Sequence, residues 1–222
     1  MIIAHRGLHC KHLENTMEAF KEAELNSLPV ELDVHLTKDG KPIVFHDDDL
    51  LRLKGVNVKI SSMTLEELKR IDLNGYRIPT LEEVMSLKIP YFLVELKHSY
   101  KVYPRVEEKV LDATEGRKVQ IISFDFDSLK RVREISSAET GMIFVGKIKW
   151  FLSIAEELRV NWLHPSHTLL FEDDMKNKYN FKVGTWTVDT REELERVSQL
   201  GVDSVTSNVP LKLRGEQVEG KN

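Results

Sequence analysis

The stretch VELDVHLTKDGKPIVFHD, residues 30–47, carries two strand-like runs at 30–37 and 42–46 joined by Lys38-Asp39-Gly40-Lys41. An Asp-Gly pair between apolar alternations is the strongest short-range hairpin signal. With Asp39 and Gly40 as the two turn residues, Asp33 is predicted to lie opposite His46. Glu31 falls two residues along on the same face, because strand side chains alternate with a period of two. Leu32, Val34 and Leu36 share the other face. Two neighbouring carboxylates repel unless positive charge lies between them, and a hard divalent cation, Mg2+ or Ca2+, meets that need. Taken alone, the pattern favours an ordinary amphipathic hairpin with a solvated acidic face. The remaining chain decides between the two.

The 222 residues suit one larger domain, and 41% hydrophobic content with 11 Gly and 7 Pro excludes a disordered composition. A formal net charge of −4 and a pI near 6.1 give no reason to expect nucleic acid or an anionic membrane as partner. Cys10 is the sole cysteine, so no intramolecular disulfide forms, in keeping with a reducing compartment. The chain runs from Met1 directly into Ile2-Ile3-Ala4-His5, without a basic segment followed by a long apolar run. No stretch reaches the length of a membrane helix. The expectation is a soluble, cytoplasmic protein without membrane insertion.

Outward from the hairpin, the chain alternates strands and helices. Ile2-Ile3-Ala4 reads as a buried strand ending in His5-Arg6-Gly7. Ala19, Phe20, Ala23 and Leu25 then recur at helical spacing, with Asn15 or Thr16 as the cap and an end near Asn26-Ser27. Residues 48–77 are mixed in character and form a small insertion, with a capping box at Thr64-Leu65-Glu66-Glu67. Further boxes begin at Thr80 and Thr190. Tyr91 to Lys97 is a nearly continuous apolar run in which Glu95 and Lys97 are same-face neighbours. Without the hairpin's return run, strands begin at Ile2, Val30, Phe92, Val119, Gly141, Val160, Lys182 and Asp203, each separated from the next by helical pattern. Eight such units predict a (β/α)8 TIM barrel, with a β-hairpin and a small insertion after the second barrel strand; an open doubly wound sheet is the runner-up. One domain is expected over 1–222, with 48–77 as the insertion and 210–222 as a polar tail.

A barrel collects its functional residues at the C-terminal ends of its strands. There the first strand delivers His5 and Arg6, the second Glu31 and Asp33, and the third Glu95 and Lys97, with His46 arriving on the hairpin. Glu31, Asp33 and Glu95 supply three oxygens for one Mg2+ or Ca2+. Zinc is not expected, since Cys10 is the only thiol and no compact His-rich ligand set is legible. Arg6 and Lys97 suit an anion with dispersed charge such as a phosphodiester. His5 and His46 suit a base and an acid on either side of phosphorus. Trp186 either walls the pocket or belongs to the barrel core. His9, His12, His98 and His167 read as solvated loop residues, His35 as pocket edge, and His164 as lying near the mouth; Cys10 has nothing nearby that marks it as a nucleophile.

His5-Arg6-Gly7, Glu14-Asn15-Thr16, Glu31-x-Asp33, Thr37-Lys38-Asp39-Gly40, His46-Asp47, Glu95-x-Lys97, Ser123-Phe124-Asp125 and Trp186-Thr187-Val188 occur in the order and spacing of the glycerophosphodiester phosphodiesterase family. The chain resembles that family from Met1 to about Pro210. The resemblance implies a barrel with a short insertion and a divalent metal on Glu31, Asp33 and Glu95. It implies His5 as general base, His46 as general acid, and Arg6 and Lys97 as phosphate holders. It also implies hydrolysis of glycerophosphodiesters to glycerol 3-phosphate and an alcohol, and the short insertion over 48–77, by leaving the mouth open, suits small soluble diesters. Leu13 where a proline is common, and SVTSNVP at 204–210, depart from the family pattern and bear on substrate preference. Two rivals remain at this level. A phosphoinositide phospholipase-like barrel would release a cyclic phosphate, which product analysis detects. A non-catalytic phosphoester-binding barrel would have no use for two histidines and three acids.

Overall fold

Apolar runs of three to seven residues punctuated by capped helices fold as the alternation requires. In the computed structural model, which describes residues 1–176 and 180–215, nine strands form one sheet: β1 (Ile2–Ala4), β2 (Val30–Leu36), β3 (Pro42–Val44), β4 (Phe92–Leu96), β5 (Val119–Ser123), β6 (Glu139–Phe144), β7 (Trp162–Pro165), β8 (Lys182–Thr185) and β9 (Ser204–Ser207). The order is β1-β9-β8-β7-β6-β5-β4-β2-β3, and β1 also pairs with β2 at Ala4 and Val30. Eight parallel strands therefore close into a barrel, while β3 runs antiparallel outside it on β2. The closure excludes the open-sheet alternative.

Outward-facing residues of the strands, including Leu32, Val34, Phe92 and Val94, pack against Phe20 and Ala23 of the helix Met17–Leu25 and Val106 and Val110 of the helix Val106–Ala113. Each such side chain, fully withdrawn from water, contributes about 1.5–3 kcal/mol. Inside the barrel a smaller layer of Ile3, Leu93, Ile122 and Ile143 supports the mouth. Thr16 caps the first helix through Ala19 N–H, and all three expected capping boxes are formed, at Thr64, Thr80 and Thr190. Among the described residues no helix is long and apolar enough to cross a membrane.

The hairpin register differs from expectation by one residue. Val34 pairs with Val44, His35 with Ile43 and Leu36 with Pro42, and Phe45 N–H donates to the Asp33 carbonyl at 3.0 Å. Asp33 is therefore opposite Phe45, not His46. The cause lies in Asp39, whose Oδ1 accepts from Thr37 Oγ1 at 2.7 Å and from Leu65 N–H at 2.9 Å. Tied to the insertion in this way, Asp39 sits mid-loop, and Gly40 takes the left-handed position (φ 71°) that closes a three-residue connection. His46 then lies beyond the ladder, where the chain bends toward the barrel mouth.

The insertion builds its own small core over β3, in which Ile43, Phe45, Leu50, Ile60, Leu68, Leu73 and Ile78 pack together. The helical pattern that the sequence carries around residues 171–179 is described as a helix over Glu172–Lys176, and residues 177–179 lie outside the described residues. Of the expected polar tail, the described part is a packed helix, Pro210–Arg214, that buries Leu211 and Leu213; residues 216–222 lie outside the described residues.

Candidate active site

Strand register brings the acids together. Asp33 and Glu95 are direct partners across β2 and β4, so their side chains share the barrel interior, and Glu31 lies one interior position below Asp33. Ala4 pairs with Val30, which carries His5, one residue on, to Glu31: His5 Nε2 is 3.8 Å from Glu31 Oε2. The chain then turns sharply, with Arg6 (φ 54°) and Gly7 (φ 82°) both left-handed, and Arg6 N–H donates to Glu31 Oε2 at 2.9 Å. A Cβ on Gly7 would meet the backbone of Ala19 at 3.0 Å, so the turn needs glycine for space as well as conformation.

Ligand-capable oxygens of Glu31, Asp33 and Glu95 lie within 4.8 Å of one another, and all three residues are buried. Lys97 Nζ donates to Glu95 Oε1 at 2.8 Å and to Asp33 Oδ1 at 3.3 Å. Asp33 Oδ2 accepts from Asn15 Nδ2 at 2.8 Å, and Arg6 Nε approaches the same oxygen at 3.3 Å as an ion pair without hydrogen-bond alignment. Burial alone would raise the Asp33 carboxyl, but Lys97 and Arg6 together hold it below the ordinary carboxylate range. Glu31 has no comparable cation. Burial, then the Asp33 and Glu95 charges, push it well above that range, and burial with Asp33 raises Glu95 to about 7.

Hydrogen bonds fix the ring states of the two candidate catalytic histidines. Asn208 Nδ2 donates to Asp189 Oδ2 at 2.7 Å, so its Oδ1 faces His5 Nδ1 at 2.7 Å as an acceptor. His5 therefore carries its proton on Nδ1 and turns the Nε2 lone pair inward. Burial, reinforced by the Arg6 charge, lowers the His5 pKa to about 4. His46 Nδ1 donates to Asp47 Oδ1 at 2.7 Å; Asp47 in turn accepts from Arg52 Nε at 2.7 Å, and Arg52 and Arg6 both reach Glu14 Oε1.

His5, Arg6, Glu31, His46, Glu95 and Lys97 line one cavity of about 160 Å³. Asp33 stands behind them, bonded to Lys97. Arg6 and Lys97, expected to hold phosphate, face this cavity while bonded to carboxylates. Trp186 lies where the cavity meets the barrel core. It lines the cavity, packs on the interior apolar layer, donates from Nε1 to the His164 carbonyl at 2.9 Å and meets Phe124 edge-on at 5.6 Å. His164 lies in the floor, 2% exposed, with Nε2 3.1 Å from Gln120 Nε2. A Cβ on Gly141 or Gly184 would come within 2.6 Å or 2.5 Å of its ring, so those glycines are what admit the histidine. His35 is fully buried rather than at the pocket edge, and Cys10 is exposed.

The sequence reading missed four contributors. Asn15 carries no site role in the sequence reading beyond a possible cap and its place in the Glu14-Asn15-Thr16 motif; Thr16 takes the cap, and Asn15, left-handed at φ 55°, reaches Asp33. Glu14 joins Arg6 to Arg52, and Asn208 with Asp189 orients His5. Asn208 is 203 residues from its histidine in sequence, and no local signal could have linked them.

The donor set fits a hard divalent cation. It consists only of oxygens, it is withdrawn from water, and Lys97 and Arg6 leave Glu31 without sufficient counter-charge. Asn15 Oδ1, buried with no hydrogen-bond partner, adds an unsatisfied acceptor to this neighbourhood.

Comparison with known proteins identifies the family to which the chain is similar. The model of the glycerophosphoryl diester phosphodiesterase family matches residues 5–212. A glycerophosphodiester phosphodiesterase of Caldanaerobacter subterraneus is 34% identical over 231 residues, covering 95% of this chain and 94% of that protein. The crystal structure of the Thermotoga maritima glycerophosphodiester phosphodiesterase superposes with TM-score 0.79 at 30% identity, covering 97% of each chain. An Oleispira antarctica phosphodiesterase, solved with its product sn-glycerol-3-phosphate, shares the fold at TM-score 0.90 and 23% identity, covering 97% of this chain and 95% of that one. With the barrel, its ordered motifs and these relatives in agreement, the chain belongs to the glycerophosphoryl diester phosphodiesterase family and is an enzyme of that family.

Proposed function

We propose that this enzyme hydrolyses small glycerophosphodiesters to glycerol 3-phosphate and an alcohol, with a divalent metal, Mg2+ or Ca2+, on Glu31, Asp33 and Glu95. The observation that carries the reading is one cavity lined by two histidines of defined tautomer, the cations Arg6 and Lys97 and the carboxyl groups of Glu31 and Glu95. When bound, the metal supplies Lewis-acid polarisation of a phosphoryl oxygen. The product complex of the Oleispira antarctica relative supports the choice of product.

The residues' own tasks follow from their bonds. Arg6 and Lys97 place positive charge on the cavity wall and bind the anionic diester. His5, with Nδ1–H held by Asn208, offers Nε2 as the base that takes a proton from attacking water. His46, with Nδ1–H held by Asp47, delivers a proton from Nε2 to the departing alkoxide as the P–O bond breaks; the Asp47 carboxylate is the counter-charge to its imidazolium. Asn208 and Asp47 act as positioning residues. Trp186 and Phe124 close the opposite wall and exclude water from it.

Replacing His5 or His46 by Ala should lower turnover of glycerophosphocholine by about a hundredfold or more. Chelator should abolish turnover, with recovery on adding Mg2+ or Ca2+. A loss of only a few-fold for both histidine variants, or full activity in chelator, overturns the mechanism.

A further inference from the structure

Folding assembles what the linear sequence does not show, a compact ligand set containing two histidines. His35 near the end of β2, His98 two residues past β4, and Asp48 on the segment after β3 bring ligand-capable atoms within 4.8 Å of one another. Asp48 Oδ1 is 2.8 Å from His98 Nε2 and 4.0 Å from His35 Nδ1, and Tyr103 Oη is 2.9 Å from His35 Nδ1. We propose that His35, Asp48 and His98 form a second cation site, selective for a transition ion of the zinc type, beside the three-carboxylate site and chemically distinct from it.

Three observations support it. First, the tautomer of the buried ligand is right; His98 Nε2–H, which now donates to Asp48 Oδ1 at 2.8 Å, gives up that proton to solvent or to its own Nδ1 when the ion binds. His35 Nε2 lies 3.1 Å from the His46 carbonyl, and a carbonyl can only accept, so Nε2 carries the proton. The Nδ1 lone pair therefore faces Asp48, His98 and the Tyr103 hydroxyl. A metal-bound imidazole characteristically donates its other N–H to a backbone carbonyl in this way. Second, one ligand is anchored and two are reachable: the His35 side chain is fully buried, whereas those of Asp48 and His98 are 64% and 32% exposed. The buried ring fixes the site, and the exposed pair gives the ion a path from solvent. Third, the spacing is close to need. Ligands bonded at about 2.0–2.2 Å to a tetrahedral ion stand roughly 3.3–3.5 Å apart. The present separations of 4.0 Å (His35 to Asp48) and 2.8 Å (His98 to Asp48) bracket that value, and the exposed Asp48 and His98 side chains have room to adjust. The Tyr103 oxygen or water takes the fourth position.

Two imidazoles and one carboxylate suit zinc, nickel or cobalt, while Mg2+ and Ca2+ favour the all-oxygen set at Glu31, Asp33 and Glu95. The His35 ring also ties the new site to the chain that carries His46. An ion on Nδ1 strengthens the Nε2–H bond to the His46 carbonyl and so clips the segment bearing that histidine to β2.

The test uses the full chain, stripped of metal and held in excess Mg2+ to fill the all-oxygen site, then titrated with Co2+. Four-coordinate nitrogen-containing sites give cobalt intense visible absorption, and six-coordinate oxygen sites give little. The expected result is an intense band saturating at one equivalent, with affinity reduced at least about tenfold in both His98→Ala and Asp48→Ala. Zn2+ should likewise raise the unfolding temperature of the wild type and not of the variants. Both changes are at partly exposed positions; His98→Gln replaces His98→Ala if the metal-free unfolding temperature of the latter falls. Absence of the intense band, or a band of equal affinity in the variants, overturns the proposal and leaves the cluster an ion pair packed on Tyr103.

Discussion

The two halves of the barrel mouth are built by different rules. On the side of β1, β2 and β4 the side chains are charged, buried and individually tied: Asp33 alone is approached by Asn15, Lys97 and Arg6. On the side of β5 and β6 the residues just past each strand are large, apolar and exposed, with Phe124 48% and Val145 60% accessible. The charged half fixes atoms to the tolerances that proton transfer and ion binding demand, because a charge out of water is tolerated only when it is bonded. The apolar half makes few directional bonds and supplies surface that can accommodate differing alcohol groups.

The comparison can be broken first on its charged side. Glu31→Gln keeps the volume and removes one of the three carboxylates proposed to hold the metal. Several kcal/mol of transition-state stabilisation should go with it, about a thousandfold in turnover. Calorimetric titration with Mg2+ should show parallel loss of binding, and a variant within tenfold of wild type with normal Mg2+ affinity would remove Glu31 from the metal set.

The floor joining the halves gives the next effect, on stability. Burial depresses the His164 pKa to about 3, below its value of about 6.5 in the unfolded chain. Between those two values the unfolded state binds a proton that the folded state refuses, so this residue's contribution to stability falls as pH drops through 6.5 and continues falling toward 3. From pH 6.5 to 4 the loss is about 3 kcal/mol at the ordinary 1.36 kcal/mol per unit. His164→Gln lacks this liability, so urea unfolding of variant and wild type should converge, or cross, toward acid. Parallel curves across that range would mean that His164 already takes up its proton in the folded protein.

The smallest effect belongs to the apolar rim. Phe124→Ala removes an edge-on aromatic contact with Trp186, worth roughly 0.5–1.5 kcal/mol. KM should rise a few-fold for diesters with a bulky alcohol and less for compact ones, with kcat nearly constant. A fall in kcat with KM unchanged would transfer Phe124 to the reacting half of the mouth.

Most of the charged half was legible in the sequence, because its residues sit at strand ends where period and fold dictate direction. Glu31, Asp33, Glu95 and Lys97 needed only strand alternation and the barrel rule. His46 was assigned to the cavity through a hairpin register that is off by one, and it reaches the cavity because the ladder ends before it. The register failed because Asp39 is claimed by Leu65 of the insertion, a contact 26 residues away in sequence. Asn15, Glu14, Asn208 and Asp189 were beyond reach for the same reason: each acts through a bond to a distant element, and local pattern carries no record of it.

By itself, the sequence determined the eightfold alternation, the capped helices and the acidic and histidine-bearing strand ends, since propensity, period and capping are local properties. Only tertiary structure decided which nitrogen of His5 and His46 faces the cavity, which carboxylate lacks a counter-charge, and that His35, Asp48 and His98 meet. Those outcomes depend on strand register and on bonds between residues far apart in the chain, and both exist only once the barrel closes.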